Sequence, residues 1–282
     1  MSDDTPHGRL YVVATPLGNL EDLSPRASRT LAEVDGVLAE DTRRTRVLLE
    51  HLGLKKSMES VREHNERRQS ARVIERLNAG ERLALVSDAG TPAVSDPGAR
   101  LVEAVAAAGC HVAPIPGPSA LSAALSVAGF AEAVHDVRFL GFLAAKGKER
   151  REALEKIATH RGIVVFFESP HRIAATMEAL AQKDASRPLC ICRELTKMYE
   201  EILRGAVGEL LPWAQGEVRG ELTLVLGPLP PHEEDADEAT IDTALRACLS
   251  AGLSRRDAAG AVAAILKVSK RVAYQRAQLL PE

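Results

Sequence analysis

The chain has 282 residues, 45% hydrophobic and 27% charged, with a formal net charge of −3. That balance fits one large domain or two of ordinary size, each with a buried core, and excludes a disordered chain. No apolar run approaches the roughly 20 residues of a membrane helix, and the first residues show no basic start followed by an apolar stretch. The protein is therefore expected in the cytoplasm, with no membrane partner.

Short apolar runs alternate with amphipathic segments from the start. Residues 10–14, 83–86 and 112–115 read as strands, and Glu40-Asp41 closes another. Ser24-Pro25, Asp96-Pro97 and Ser169-Pro170 each place a capping side chain before a proline suited to the first helical position. After a break over 127–137 the pattern resumes, with strands at 139–143, 163–167, 189–192 and 222–226. This alternation predicts an α/β fold with a largely parallel sheet. We expect two α/β domains, 1–120 and 121–228.

A Pro-rich and acidic linker is expected over 229–238. Beyond it, 239–282 reads as a basic module of three helices at 239–251, 254–267 and 269–279. Ser254 with Asp257 has capping-box spacing, and Ser269 is placed to cap the last helix, which carries Lys270, Arg271 and Arg276. The short turn near Val268 resembles that of a helix-turn-helix.

Cys110, Cys190, Cys192 and Cys248 have neither disulfide-framework nor zinc-site spacing. Cys190 and Cys192 are expected on one face of a buried strand. Charge is uneven: residues 240–282 hold seven basic and three acidic residues (+4), leaving −7 for the rest, and 41–82 hold eleven basic against seven acidic. Two positive regions on an acidic body suggest a polyanionic partner, although either alone reads equally as a solvated helix face.

No two glycines stand two apart, so there is no Gly-x-Gly-x-x-Gly turn, and Gly147-Lys148 runs into Glu149 rather than completing a P-loop. Three turn-rich segments after strands stand out instead: 14–20, 86–98 and 115–120. Small residues there let a ligand approach the backbone, and the following helix starts offer amides. Any one of them could be a plain connection, and the third reads equally as one.

These residues carry a resemblance. Ala39-Glu40-Asp41-Thr42-Arg43, the Ser87-to-Gly98 loop, Phe166-Phe167-Glu168-Ser169-Pro170-His171-Arg172 and Arg193-Glu194-Leu195-Thr196-Lys197 resemble the tetrapyrrole methylase superfamily, the class III S-adenosylmethionine-dependent methyltransferases. Within it, the chain is similar to the branch that methylates the ribose 2′-oxygen of a cytidine in the decoding centre of 16S rRNA. The likeness runs from about Gly8 to Gly227, and the tail matches that branch's helical extension.

The resemblance implies S-adenosyl-L-methionine folded into a cleft between two domains, and a homodimer. By position it implies that Pro16 matches the first cofactor loop, that Ser87, Asp88 and Ala89 match a Gly-Asp-Pro segment, and that Thr91 lies just beyond. Ser119 and Ala120 match a small pair after the Pro-Gly turn, Glu168 a cofactor-facing position, and Gly205 a backbone contact. Ser87 and Ala89 depart from the usual Gly and Pro, and Thr15-Pro16-Leu17 from a glycine-rich turn.

Methyl transfer to a ribose hydroxyl needs an oriented acceptor and no metal. Arg43, Arg44 and Arg172 are expected to position RNA, with Arg46, Arg67, Arg68 and the tail. Asp41, ending a first-domain strand, is the expected proton acceptor and Lys197 its electrostatic helper. Plainer roles stand beside these: Asp41 as a helix cap, Glu63-His64-Asn65 as a loop, Arg172 paired with a neighbouring acid, Glu200-Glu201 as a solvated edge. A tetrapyrrole C-methyltransferase on the same fold is the alternative substrate reading. A ligand-sensing, DNA-binding regulator is the non-enzymatic one.

Overall fold

The computed structural model describes residues 8–62, 65–229, 238–266 and 268–280. Expectations at Glu63, His64, Lys267 and most of the linker lie outside them. The chain divides after Pro228 into two compact units.

The first unit opens with five parallel strands, β1 (Arg9–Val13), β2 (Gly36–Ala39), β3 (Ser57–Ser60), β4 (Arg82–Val86) and β5 (His111–Ile115), in the order β3-β2-β4-β1-β5. Its inner strands are buried on both faces, which is why they read as continuous apolar runs. Alternate residues part to the two sides. Val13, Val37, Ala84 and Val86 meet α1 (Pro25–Glu33) and α2 (Thr42–His51). Leu10, Leu38, Leu83 and Leu85 meet α3 (Glu66–Asn78) and α4 (Ala99–Ala107). The chain thus leaves β1 towards one face and β4 towards the other. These neighbouring strands form a topological switch point, where open α/β sheets bind ligands.

Next come α5 (Ala120–Ala128), β6 (Val137–Phe142), α6 (Gly147–Thr159), β7 (Ile163–Glu168), α7 (Ile173–Asp184), β8 (Pro188–Arg193), β9 (Glu201–Ala206), α8 (Val207–Ala214) and β10 (Leu222–Leu226). They build a second sheet in the order β6-β7-β10-β8-β9. One face packs Val164, Phe166, Ile191 and Leu224 against Ile157, Met177 and Val207 of α6, α7 and α8. The other is covered by Ala124 and Ala128 of α5 over Val165, Cys190, Cys192 and Val225. Cys190 and Cys192 are fully buried, with sulfurs 3.8 Å apart on one strand face, as expected.

The largely parallel expectation fails here. Only β6 and β7 run parallel, while β10 is antiparallel to β7 and β8, and β8 to β9. The cause is local: residues 194–200 joining β8 to β9 are too few for the crossover that a parallel return needs.

Of the three Ser/Asp-Pro junctions, only Ser24 caps as expected, its Oγ accepting from the Ala27 amide at 3.0 Å. α4 begins after Gly98 at φ 120°, and α7 begins at Ile173, a turn beyond Ser169-Pro170. The second unit holds α9 (Glu238–Ser250), α10 (Arg255–Leu266) and α11 (Lys270–Leu279) around Leu245, Val262, Ala273 and Ala277. Ser269 caps α11 through Val272, and Ser254 accepts from the Asp257 amide.

Candidate active site

The three turn-rich loops converge at the C-terminal end of the first sheet. Thr15 and Gly90 exchange both backbone hydrogen bonds, at 2.8 and 3.0 Å, and the Thr15 hydroxyl donates to the Ser87 carbonyl at 3.2 Å. The Thr91 hydroxyl donates to the Pro118 carbonyl at 3.0 Å, joining the second loop to the third. Gly90 sits at φ 77°, and a Cβ there would press on the Leu17 side chain, so a substitution is strained where these loops meet.

Between these loops and the ends of β6, β7 and β10 lies a cavity of about 410 Å³. Asp88, Ala89, Thr91, Ser119, Ala120, Glu168 and Arg44 line it, all anticipated from sequence. Leu17, Val94, Phe142, Phe167 and Leu222 give it apolar walls, and Glu40, Asp96 and Glu221 add carboxylates. Its size is that of a pocket for a cofactor-sized ligand. Its donor set also suits S-adenosylmethionine, with apolar and aromatic surface for an adenine ring and carboxylates for a sulfonium and an ammonium. Among the described residues, no three acids, histidines or cysteines are grouped closely enough to hold a metal ion.

The other anticipated residues lie elsewhere. Pro16 and Ser87 border a smaller neighbouring hollow with Thr45 and Leu48. Gly205 pairs with Leu189 inside β9, outside the cavity lining. Glu168 contributes to the wall, but its carboxylate is fully buried and committed. It accepts from Arg150 (3.3 Å), Thr176 (2.6 Å) and the Ser169 amide (2.8 Å), and pairs with Arg172 at 2.7 Å.

Asp41 caps α2. Its carboxylate accepts from the Arg43 amide at 2.9 Å and from the Arg43 guanidinium at 2.6 and 3.1 Å, bonds that hold its pKa far below the usual carboxylate range. An acid so firmly ionised and paired is a poor proton acceptor. Asp41 instead supports the site through its backbone, its amide donating to Asp88 Oδ1 at 3.0 Å, while Arg44 lies 3.5 Å from Asp88 Oδ2.

Lys197 does cross to the first loop, its stem occupying the space that Gly18 leaves empty. Its ammonium bonds Glu194 at 2.9 Å and Glu221 at 3.0 Å. Partial burial lowers its pKa, but these two carboxylates outweigh that and the net shift is upward. Asp41 and Lys197 therefore hold different partners.

Sequence reasoning missed Asp96, read only as a cap. Its pKa is raised to about 7, first by burial and then by the charges of Glu40, Asp88 and Glu221, with a Ser87 hydrogen bond opposing. The signal in the sequence was an acid placed within the longest of the three converging loops. Aromatic lining was missed too: Phe142 and Phe167 line the cavity and meet edge-on at 5.2 Å, and Phe139, outside the lining, meets Phe167 at the same distance.

Comparisons with known proteins agree with this geometry. The family described as Tetrapyrrole (Corrin/Porphyrin) Methylases matches residues 9–211. The Ribosomal RNA small subunit methyltransferase I of Escherichia coli O157:H7 is 40% identical, over 98% of this chain and 96% of its own. That of Halalkalibacterium halodurans is 44% identical, over 78% and 75%. A Thermus thermophilus uroporphyrin-III C-methyl transferase solved with S-adenosyl homocysteine shares the fold, with a TM-score of 0.59 at 22% identity, over 78% of this chain and 97% of its own. The chain belongs to the tetrapyrrole methylase family of S-adenosylmethionine-dependent methyltransferases and, within it, to the ribosomal RNA small subunit methyltransferase I group.

Proposed function

We propose that this methyltransferase acts on the ribose 2′-hydroxyl of a cytidine in the decoding centre of 16S rRNA, free or within the small ribosomal subunit. The observation that carries the reading is the contrast between cavity and rim. Among the described residues, the cavity lining holds Glu40, Asp88, Asp96, Glu168 and Glu221 and one cation, Arg44, while Arg150, Arg172 and Lys197 pair with Glu168 and Glu221 from outside that lining. On α2, Arg43 is 83% exposed and Arg44 66% exposed, with Arg46 also exposed. Such a site admits a cationic cofactor and one uncharged sugar while phosphates stay at the rim. A polycarboxylate tetrapyrrole seated in the cavity would meet its carboxylates.

When bound, S-adenosylmethionine supplies an electrophilic methyl group on a sulfonium. Asp88, Ala89, Thr91, Ser119 and Ala120 hold it in this reading, with Pro16 and Ser87 shaping the loops behind them. Phe142 and Phe167 present ring surface to an adenine or a cytosine. A cytoplasmic homodimer completes the reading, supported by the 90% exposed Met198 and 70% exposed Tyr199, apolar surface suited to a second copy.

The test is methyl transfer from labelled cofactor to 16S rRNA and to small subunits, followed by nucleoside mass spectrometry. A ribose-methylated cytidine is expected. Label on a base, or only on a uroporphyrinogen offered in parallel, would overturn the reading.

A further inference from the structure

We propose that the Asp96 carboxylate is the base that receives the proton of the acceptor hydroxyl, an inference that rests on the ribose reading above. Asp96 lines the cavity from a loop held in an unfavourable shape. Ala93 and Ser95 both have positive φ, 67° and 69°, and Gly98 follows at 120°. Such backbone is costly for a non-glycine residue and persists only where its surroundings enforce it.

Here they do. The buried Glu66 carboxylate accepts from the Gly98 amide, the Ala93 amide donates to the Pro97 carbonyl at 3.3 Å, and Ser95 fills the space beside Gly141 of β6. The Glu66 bond fixes the loop from the first sheet's side, the Ala93–Pro97 bond closes it on itself, and the Ser95 contact fixes it from the second sheet's side. The strained segment carries Asp96 into the cavity rather than onto the end of α4.

The other cavity acids are engaged. Asp88 faces Arg44 and the Asp41 amide, Glu168 faces Arg150 and Arg172, and Glu221 faces Lys197. Glu40 accepts from the Asp88 amide at 3.4 Å, and although burial and the Asp88 charge raise its pKa as well, the charges of Arg44 and Arg62 oppose that rise. Among the described residues Asp96 has no cationic partner, while Glu40, Asp88 and Glu221 surround it with negative charge. Burial first, and these charges second, leave a carboxyl with proton affinity near neutrality, the property a general base at physiological pH requires.

The step balances without a further reactant. The hydroxyl proton passes to an Asp96 oxygen as the ribose oxygen bonds the methyl carbon. The methyl–sulfur bond breaks with its electron pair remaining on sulfur. A methyl ether, a neutral thioether and protonated Asp96 result, and Asp96 then returns its proton to water.

The experiment is single-turnover methylation at saturating RNA and cofactor between pH 5.5 and 8.5, with S-adenosylhomocysteine and RNA affinities measured in parallel. In the parent, the rate should rise with pH through a midpoint near 7. D96N should slow the step about 100-fold or more and lose that midpoint, with both affinities within about twofold of the parent. Should D96N bind neither ligand, D96A with added formate replaces it, and restoration of the rate by formate supports the assignment.

A parent-like rate in D96N, no formate rescue in a ligand-binding D96A, or a midpoint lost in E40Q but kept in D96N would overturn it. A D96N defect confined to cofactor affinity would overturn it as well. Failure of the ribose reading shows separately, as absence of ribose methyl in the parent.

Discussion

Arg172 holds Glu168 through an ion pair of 2.7 Å four residues away, at the mouth of α7. With Arg150, Thr176 and the Ser169 amide, it saturates a carboxylate that has no solvent exposure. Removing one member of a buried charged group strands the others. Glu168→Ala should therefore cost about 3–5 kcal/mol of stability, read as a lower urea midpoint at unchanged slope. An unchanged midpoint would mean that the two arginines find water or another acid at no cost.

Asp88 joins the second loop to the start of α2, through the Asp41 amide and Arg44. Asp88→Ala frees both groups and removes a carboxylate from the cavity wall. S-adenosylmethionine affinity should fall about tenfold or more, the scale expected when a charged hydrogen bond is removed. Calorimetry on the intact chain checks this, and unchanged affinity would take Asp88 out of the cofactor site.

The first sheet was legible because its inner strands are buried on both faces, so that Leu83–Val86 reads as one apolar run. The edge strands β5 and β6 were legible too, but β3 and β9, the other two edges, were not. β3 is Ser-Met-Glu-Ser, and β9 is a half-exposed strand whose first residue, Glu201, reads as solvated surface. The cavity loops were legible through small residues and strand ends, but the pairing of charges within them was not. Nothing in the order Asp41-Thr42-Arg43 tells whether the acid faces a substrate or folds back onto its own arginine; the geometry shows the latter. Asp96 was obscured for the converse reason. An Asp-Pro pair signals a helix start, yet Gly98 at φ 120° delays the helix to Ala99 and leaves the acid on the cavity.

The second unit offers a separable test, because it has its own core around Leu245 and Val262. Arg276 is committed within that unit rather than offered to RNA, since it clamps Asp242 at 2.5 Å and Glu238 at 2.6 Å. Arg246, Arg256, Lys270 and Arg271 are the exposed cations of its described helices. A chain ending at Pro228 should bind S-adenosylmethionine like the parent and bind 16S rRNA more weakly. Its affinity should also depend less on salt, by roughly one unit of log–log slope for each phosphate no longer neutralised. Equal RNA affinity and slope would assign the unit another role.

Asp96 links the cavity to stability as well as to chemistry. Burial and the facing charges of Glu40, Asp88 and Glu221 raise its pKa to about 7 in the fold, against about 4 in an unfolded chain. Folding thus takes up a proton between those values, and the native state loses stability as pH rises through that window. An asparagine at this position is neutral at every pH and bears no such penalty. D96N should melt above the parent at pH 8, with the difference shrinking as pH falls and vanishing only well below pH 4, where the parent carboxyl is protonated in both states. Paired thermal melts across that range check it. A constant difference would mean that packing rather than titration sets the effect, and a variant less stable at pH 8 would show that the ionised carboxylate itself holds the loop together.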